Sequence, residues 1–149
     1  MTLLYSLVVL HIIMAAAYFG LGLTLTRQAR LVASGEGGPA MDGLGRKTIS
    51  LMTIFGGLTL VFAVSALLVG GGFGAYSTQF HHSLTLLLII LAVHFFLVRP
   101  GWNQLATDPA KGKKKVAAGM GVAHLLWLVI LVLMFLHRLV PGVTLMQGA

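Results

Sequence analysis

A chain of 149 residues in which 58% are hydrophobic and only 9% are charged has too little polar surface to fold as a soluble domain. The net charge of +7 would suit a nucleic-acid binder, but the basic residues sit in connecting segments between apolar stretches, so no nucleic-acid partner is expected. Cysteine is absent, which excludes disulfides, thiolate metal sites and covalent c-type haem attachment.

Four stretches, about residues 3–26, 49–70, 80–98 and 117–139, are long enough to cross roughly 30 Å of hydrocarbon at about 1.5 Å per residue. The expected fold class is therefore an all-α integral membrane protein, a single domain forming an antiparallel four-helix transmembrane bundle. The first stretch lacks a basic leader and is followed by basic residues, so it is expected to be retained as a span. It carries His11 and the small residues Ala15, Ala16, Ala17, Gly20 and Gly22.

The connection over residues 27–48 is Gly-rich and contains Pro39, which predicts a flexible connector, with residues 28–34 able to extend the first helix. The second span contains Gly56 and Gly57. The turn that follows it, "GGGFGAYSTQ", has no charge, and its glycines suit a tight reversal. The third span, "FHHSLTLLLIILAVHFFLV", holds His81, His82 and His94. The connection after it opens with Arg99 and Pro100, a predicted helix stop, and Trp102 is expected as an interfacial anchor. The fourth span opens with Ala117, Ala118, Gly119 and Gly121 and carries His124 and His137. Small residues in lipid serve close helix packing or leave room for a flat cofactor.

Charge sets the orientation. Arg27, Arg30, Arg46 and Lys47 lie between spans one and two, and Arg99, Lys111, Lys113, Lys114 and Lys115 lie between spans three and four. Only Arg138 lies at the other end. These connections are therefore expected inside and both termini on the outer face, in a bacterial inner membrane. The run "KGKKK" is read as an anchor to lipid headgroups.

The three carboxylates, Glu36, Asp42 and Asp108, all fall in connections. A transmembrane carboxylate relay and a paired-carboxylate hydrolase site are thereby excluded. Imidazole is left as the ionisable chemistry of the bilayer, and neutral imidazole is an axial ligand for haem iron. His94 lies about four residues, and His124 about seven, from the inner ends of consecutive spans, a depth difference of roughly 4 Å. That pair is the leading candidate for holding the iron of a haem b, with Arg99 one turn beyond His94 as partner for the propionates. The alternative is that both histidines bond neighbouring carbonyls. His11, roughly 12 Å from the outer end of its span, is a further candidate ligand that would need a tilted partner or a non-histidine sixth ligand. His81, His82 and His137 belong to the outer interface, where a quinone headgroup is a conceivable partner. Phe95, Phe96, Trp127 and Phe135 are read as lipid-facing or packing groups.

Two stretches carry a resemblance. "LHIIMAAAYFGLGL" resembles the opening of HemJ-type protoporphyrinogen oxidases and of CopD-like membrane proteins. "FHHSLTLLLIILAVH" resembles the HemJ third span, in which a second His follows the first by about thirteen residues, as His94 follows His81. The resemblance implies a four-helix membrane fold, b-haem, protoporphyrinogen oxidation, and His11 and His94 as the functional histidines. Where HemJ proteins have a Lys after the first of these histidines, this chain has Ser83, Leu84 and Thr85, and "GMGVAHLL" replaces their polar fourth-span opening.

The leading expectation is accordingly a haem-b-binding membrane protein serving electron transfer, a small subunit among other membrane subunits of a redox complex. The second is a cofactor-free structural subunit of a respiratory or photosynthetic assembly, and the third a HemJ-like oxidase. A chlorophyll-type pigment in place of haem is left open by the imidazoles alone.

Overall fold

The computed structural model describes residues 2–139, with side chains through Phe135. His137 and Arg138 therefore lie outside the residues whose side chains are described. Four helices, each long and apolar enough to cross a bilayer, make up the bundle: α1 (Thr2–Ser34), α2 (Gly38–Val69), α3 (Thr78–Gln104) and α4 (Pro109–Leu139). Each packs antiparallel to the next in sequence, as short connections require. The seams α1–α2, α1–α4 and α3–α4 are close, and α2 meets α3 only lightly.

The helices run well past the expected spans at the end bearing the lysines and arginines, expected to be the inner one. The anticipated flexible connector is helical except at residues 35–37. Gly35 (φ 77°) closes α1 in the left-handed conformation, and its N–H donates to Val32 O at 3.1 Å. Pro39 in the first turn of α2 begins a helix at a position where its missing N–H is not needed. At the outer end Gly71 and Gly72, with φ of 112° and 80°, make the expected tight reversal.

Pro100 does not stop α3. The turn His94–Val98 is π-helical, and the Arg99 N–H reaches back five residues to His94 O. The hydrogen-bond ladder is thus widened immediately before the residue that has no N–H to give. The wide turn also serves packing. Ile90, His94, Val98 and Trp102 are all buried, at intervals of four residues. A regular α-helix would rotate that stripe by about 40° at each step, and the π turn takes up part of the drift. Asp108 then caps α4, its Oδ1 accepting the Lys111 N–H at 3.0 Å, with Pro109 in the first turn.

Trp102 is 1% exposed and so is a packing residue, not an anchor facing the headgroups. A Cβ at Gly45 of α2 would overlap its indole, and its Nε1–H donates to Asp42 Oδ1 at 3.0 Å. Asp42 Oδ2 in turn accepts the Arg46 Nε–H at 2.8 Å. On the other flank α3 and α4 meet through glycine. A Cβ at Gly112 would stand 2.7 Å from Leu105 N, and one at Gly119 2.7 Å from Val98 Cγ2. Such contacts let backbones approach in lipid, where packing and not apolar burial drives helix association. Above this inner junction the core is Leu25, Met52, Ile90, Val116 and Met120, each nearly inaccessible. Ile12, Ile54, Leu88, Phe96 and Leu125 face outward as a lipid-facing belt.

Candidate functional site

His94 is at the centre of the bundle and fully buried, on the face shared by Ser83, Leu87 and Ile90, as its spacing from them implies. Its Nε2 lies 2.9 Å from Thr53 Oγ1 on α2. The Thr53 hydroxyl proton is already donated to Ile49 O at 2.9 Å, so Thr53 accepts and His94 Nε2 carries the hydrogen. The remaining nitrogen, Nδ1, is buried without a partner, as is the Tyr18 hydroxyl, and the two rings stand edge-on with centroids 5.9 Å apart. His94 thus points toward α1 and α2.

His124 lies elsewhere, on the α1–α4 seam. Its ring packs edge-on against Phe19 at 4.7 Å, and a Cβ at Gly22 would come within 2.9 Å of its Nε2. Ala117 and Gly121, expected to open space on its face, are turned toward lipid; Val116, Met120 and Ala123 form the buried face instead. Met52 and Met120 close on the same seam, at 0% and 1% exposure. His94 Nδ1 and His124 Nε2 are both buried without a hydrogen-bond partner, in packing that leaves no room for a macrocycle at either ring as it stands. His94 offers only its Nδ1, and the interior beside His124 is filled by the two methionines. The sequence puts the two histidines roughly 4 Å apart in depth, and their rings meet different neighbours, His94 Tyr18 and Thr53, His124 Phe19 and Gly22. Arg99 is exposed at the inner end of α3 and carries no ion pair among the described residues.

His11 has different surroundings. Its Nδ1 lies 2.9 Å from Thr59 O on α2. A carbonyl can only accept, so Nδ1 holds the hydrogen and, in the neutral ring, Nε2 holds the lone pair. This is the arrangement that orients histidines which ligate metals through Nε2. His11 lines a narrow cleft of about 50 Å³ in the outer half of the bundle, well below the roughly 300–1,000 Å³ of small-molecule sites. All four helices contribute to it. Ala15 and Ala63 leave the space, while Phe80, Leu84, Leu87, Trp127, Ile130 and Met134 wall it. Its hydroxyls give their protons to their own helices, Thr59 Oγ1 to Phe55 O at 2.7 Å and Ser83 Oγ to Gln79 O at 2.9 Å. The polar atoms left for an occupant from His11, Thr59 and Ser83 are lone pairs. No second histidine lines the cleft among the described residues.

At the outer turn the His81 Nε2–H donates to Phe73 O at 3.2 Å, and the two rings stack at 6.1 Å. His81 is therefore a structural clasp on the glycine-rich reversal, and His82 is exposed. No cluster of three or more histidine, aspartate or glutamate side chains is assembled for a metal among the described residues. Thr53 and Thr59, which fix the rings of His94 and His11, escaped the sequence reading. One acts through a hydroxyl on a neighbouring helix and the other through a backbone carbonyl, and neither leaves a pattern along the chain.

The chain matches no protein-family model, no curated protein and no solved structure.

Proposed function

We propose that this multi-pass membrane protein serves electron transfer with His11 as the protein ligand of haem b; the cleft beside His11 is too small for the macrocycle as it stands, so the helices lining it would part on binding. The observation that carries this reading is the His11 tautomer: one ring nitrogen is fixed to a backbone carbonyl, and the other, with its lone pair, belongs to a ring lining an apolar cleft. When bound, the haem supplies one-electron chemistry. The chain's part is to orient the imidazole through Thr59 O and to exclude water with Leu87, Trp127 and Ile130. In this reading His94 and His124 are packing and hydrogen-bonding residues. Acting as a small subunit beside other membrane subunits follows from the short connections, which offer no soluble domain to receive electrons.

The test is optical. Protein purified from haem-replete cells is expected to show a Soret band that sharpens on reduction with dithionite. His11→Ala should abolish it, whereas His124→Ala should leave it. Absence of any band beyond the aromatic absorption, or its loss in His124→Ala with retention in His11→Ala, overturns the proposal. A second reading, a cofactor-free structural subunit, is favoured by the dense core around Met52 and Met120, and a flat spectrum would select it.

A further inference from the structure

We propose that the inner ends of α1 and α4 form a headgroup site for one anionic phospholipid. Two cation pairs distant in sequence converge there. Arg27 and Arg30 are one turn apart on α1, and Lys113 comes from α4, around a groove of about 440 Å³. An adjoining groove, toward the apolar part of the helices, is lined by Arg27, Arg30, Lys113 and Lys114 together with Leu23, Thr26 and Ala117. All four cations are exposed, and none forms an ion pair among the described residues, whose only such pair is Arg46–Asp42. Glu36 is the one carboxylate lining either groove. Four like charges held on two facing helices repel, and a phosphodiester placed between them relieves the repulsion.

The rule that keeps basic residues inside needs only their number on that side, not their convergence. A second observation points to a lipid in particular. The face that bears Arg27 continues into the membrane as Leu23 and Gly20, and the face that bears Lys113 continues as Ala117 and Gly121. Gly20 and Gly121 have nothing within 4 Å of where a Cβ would stand, and Ala117 is exposed. The adjoining groove thus runs from the cations onto an exposed apolar surface that includes Leu23 and Ala117, along which an acyl chain can lie and which a free phosphate does not use.

The full chain in neutral detergent tests this by thermal unfolding with added phosphatidylglycerol, phosphatidylcholine or inorganic phosphate. A saturable rise in midpoint is expected with phosphatidylglycerol alone. Removing two cations in Arg27→Gln/Arg30→Gln should raise the lipid concentration needed by roughly 30-fold, from about 1 kcal/mol per basic residue near an anionic surface. Lys47→Gln, which removes an exposed inner cation outside both grooves, should leave it unchanged. An equal rise in the double variant, an equal loss in Lys47→Gln, or an equal effect of inorganic phosphate overturns the proposal. Because both arginines are exposed and their mutual repulsion is relieved, the lipid-free midpoint of the double variant should equal or exceed that of the parent, which separates lost binding from lost folding.

Discussion

At the scale of single residues, the bundle depends on where a side chain is missing. Gly45 and Gly57 are both in α2, twelve positions apart, in opposite circumstances. A Cβ at Gly45 runs into the Trp102 indole, which has no free direction to move because it is buried and its N–H is held by Asp42. A Cβ at Gly57 meets nothing within 4 Å. Gly45→Ala is therefore expected to destabilise the protein by about 1–3 kcal/mol, the usual range for overpacking. Gly57→Ala should be neutral or slightly stabilising, since alanine is the better helix former. Midpoints of thermal unfolding in detergent read both. Equal effects would show that Trp102 is not wedged on Gly45. The histidines repeat the lesson. Their depths can be counted along the sequence, but which way each ring points depends on what fills the seam beside it. Gly22, Met52 and Met120 decide that for His124, and Thr53 for His94.

At the scale of the element, α3 shows what a local rule misses. Pro100 reads as a stop because an α-helix needs the N–H it lacks. A sequence does not show that the preceding turn can widen so that the bond is never required. A trace of the wide turn is nevertheless present in the chain: Ile90, His94, Val98 and Trp102 recur at intervals of four, longer than an α-helix keeps on one face. The extra residue of a π turn behaves as an insertion. Deleting Phe96, which is 82% exposed within that turn, together with Pro100→Ala, is therefore expected to give a regular helix that still buries both His94 and Trp102. Deleting Ile89, in the regular part of α3, should instead rotate everything beyond it by about 100° and turn His94 out of the core. Gel filtration of the detergent-extracted proteins distinguishes them. A monodisperse peak is expected for the first variant and aggregate for the second, and aggregation of both would mean that the wide turn is required for more than register. The four spans themselves were legible because apolar length is a property of composition. Their extension into the inner connections was not, because glycine and proline mark helix ends as readily as loops, and here Gly35, Pro39 and Pro109 do the former.

At the scale of the whole molecule, the bundle is polarised. The inner end is glycine-packed and cationic, with two of its three carboxylates, Asp42 and Asp108, spent on Trp102, Arg46 and the cap of α4. The outer end holds an uncharged reversal and the cleft of His11. The proposed haem and the proposed phospholipid therefore occupy opposite leaflets, and the orientation decides which compartment each one meets. The absence of cysteine makes that orientation directly measurable, because single cysteines label without background. Gly74 sits in the outer reversal with nothing within 4 Å of a Cβ, and Ala106 is exposed in the inner connection between α3 and α4. In intact cells a membrane-impermeant maleimide is expected to label Gly74→Cys and not Ala106→Cys, and permeabilisation should expose the second. The distribution of lysine and arginine across the connections is the ground for this expectation. Labelling of Ala106→Cys alone in intact cells would place the cations outside, where the anionic inner leaflet could not meet them, and would put the His11 cleft on the cytoplasmic side. Labelling of both would mean a mixture of orientations, with too little charge bias to fix one.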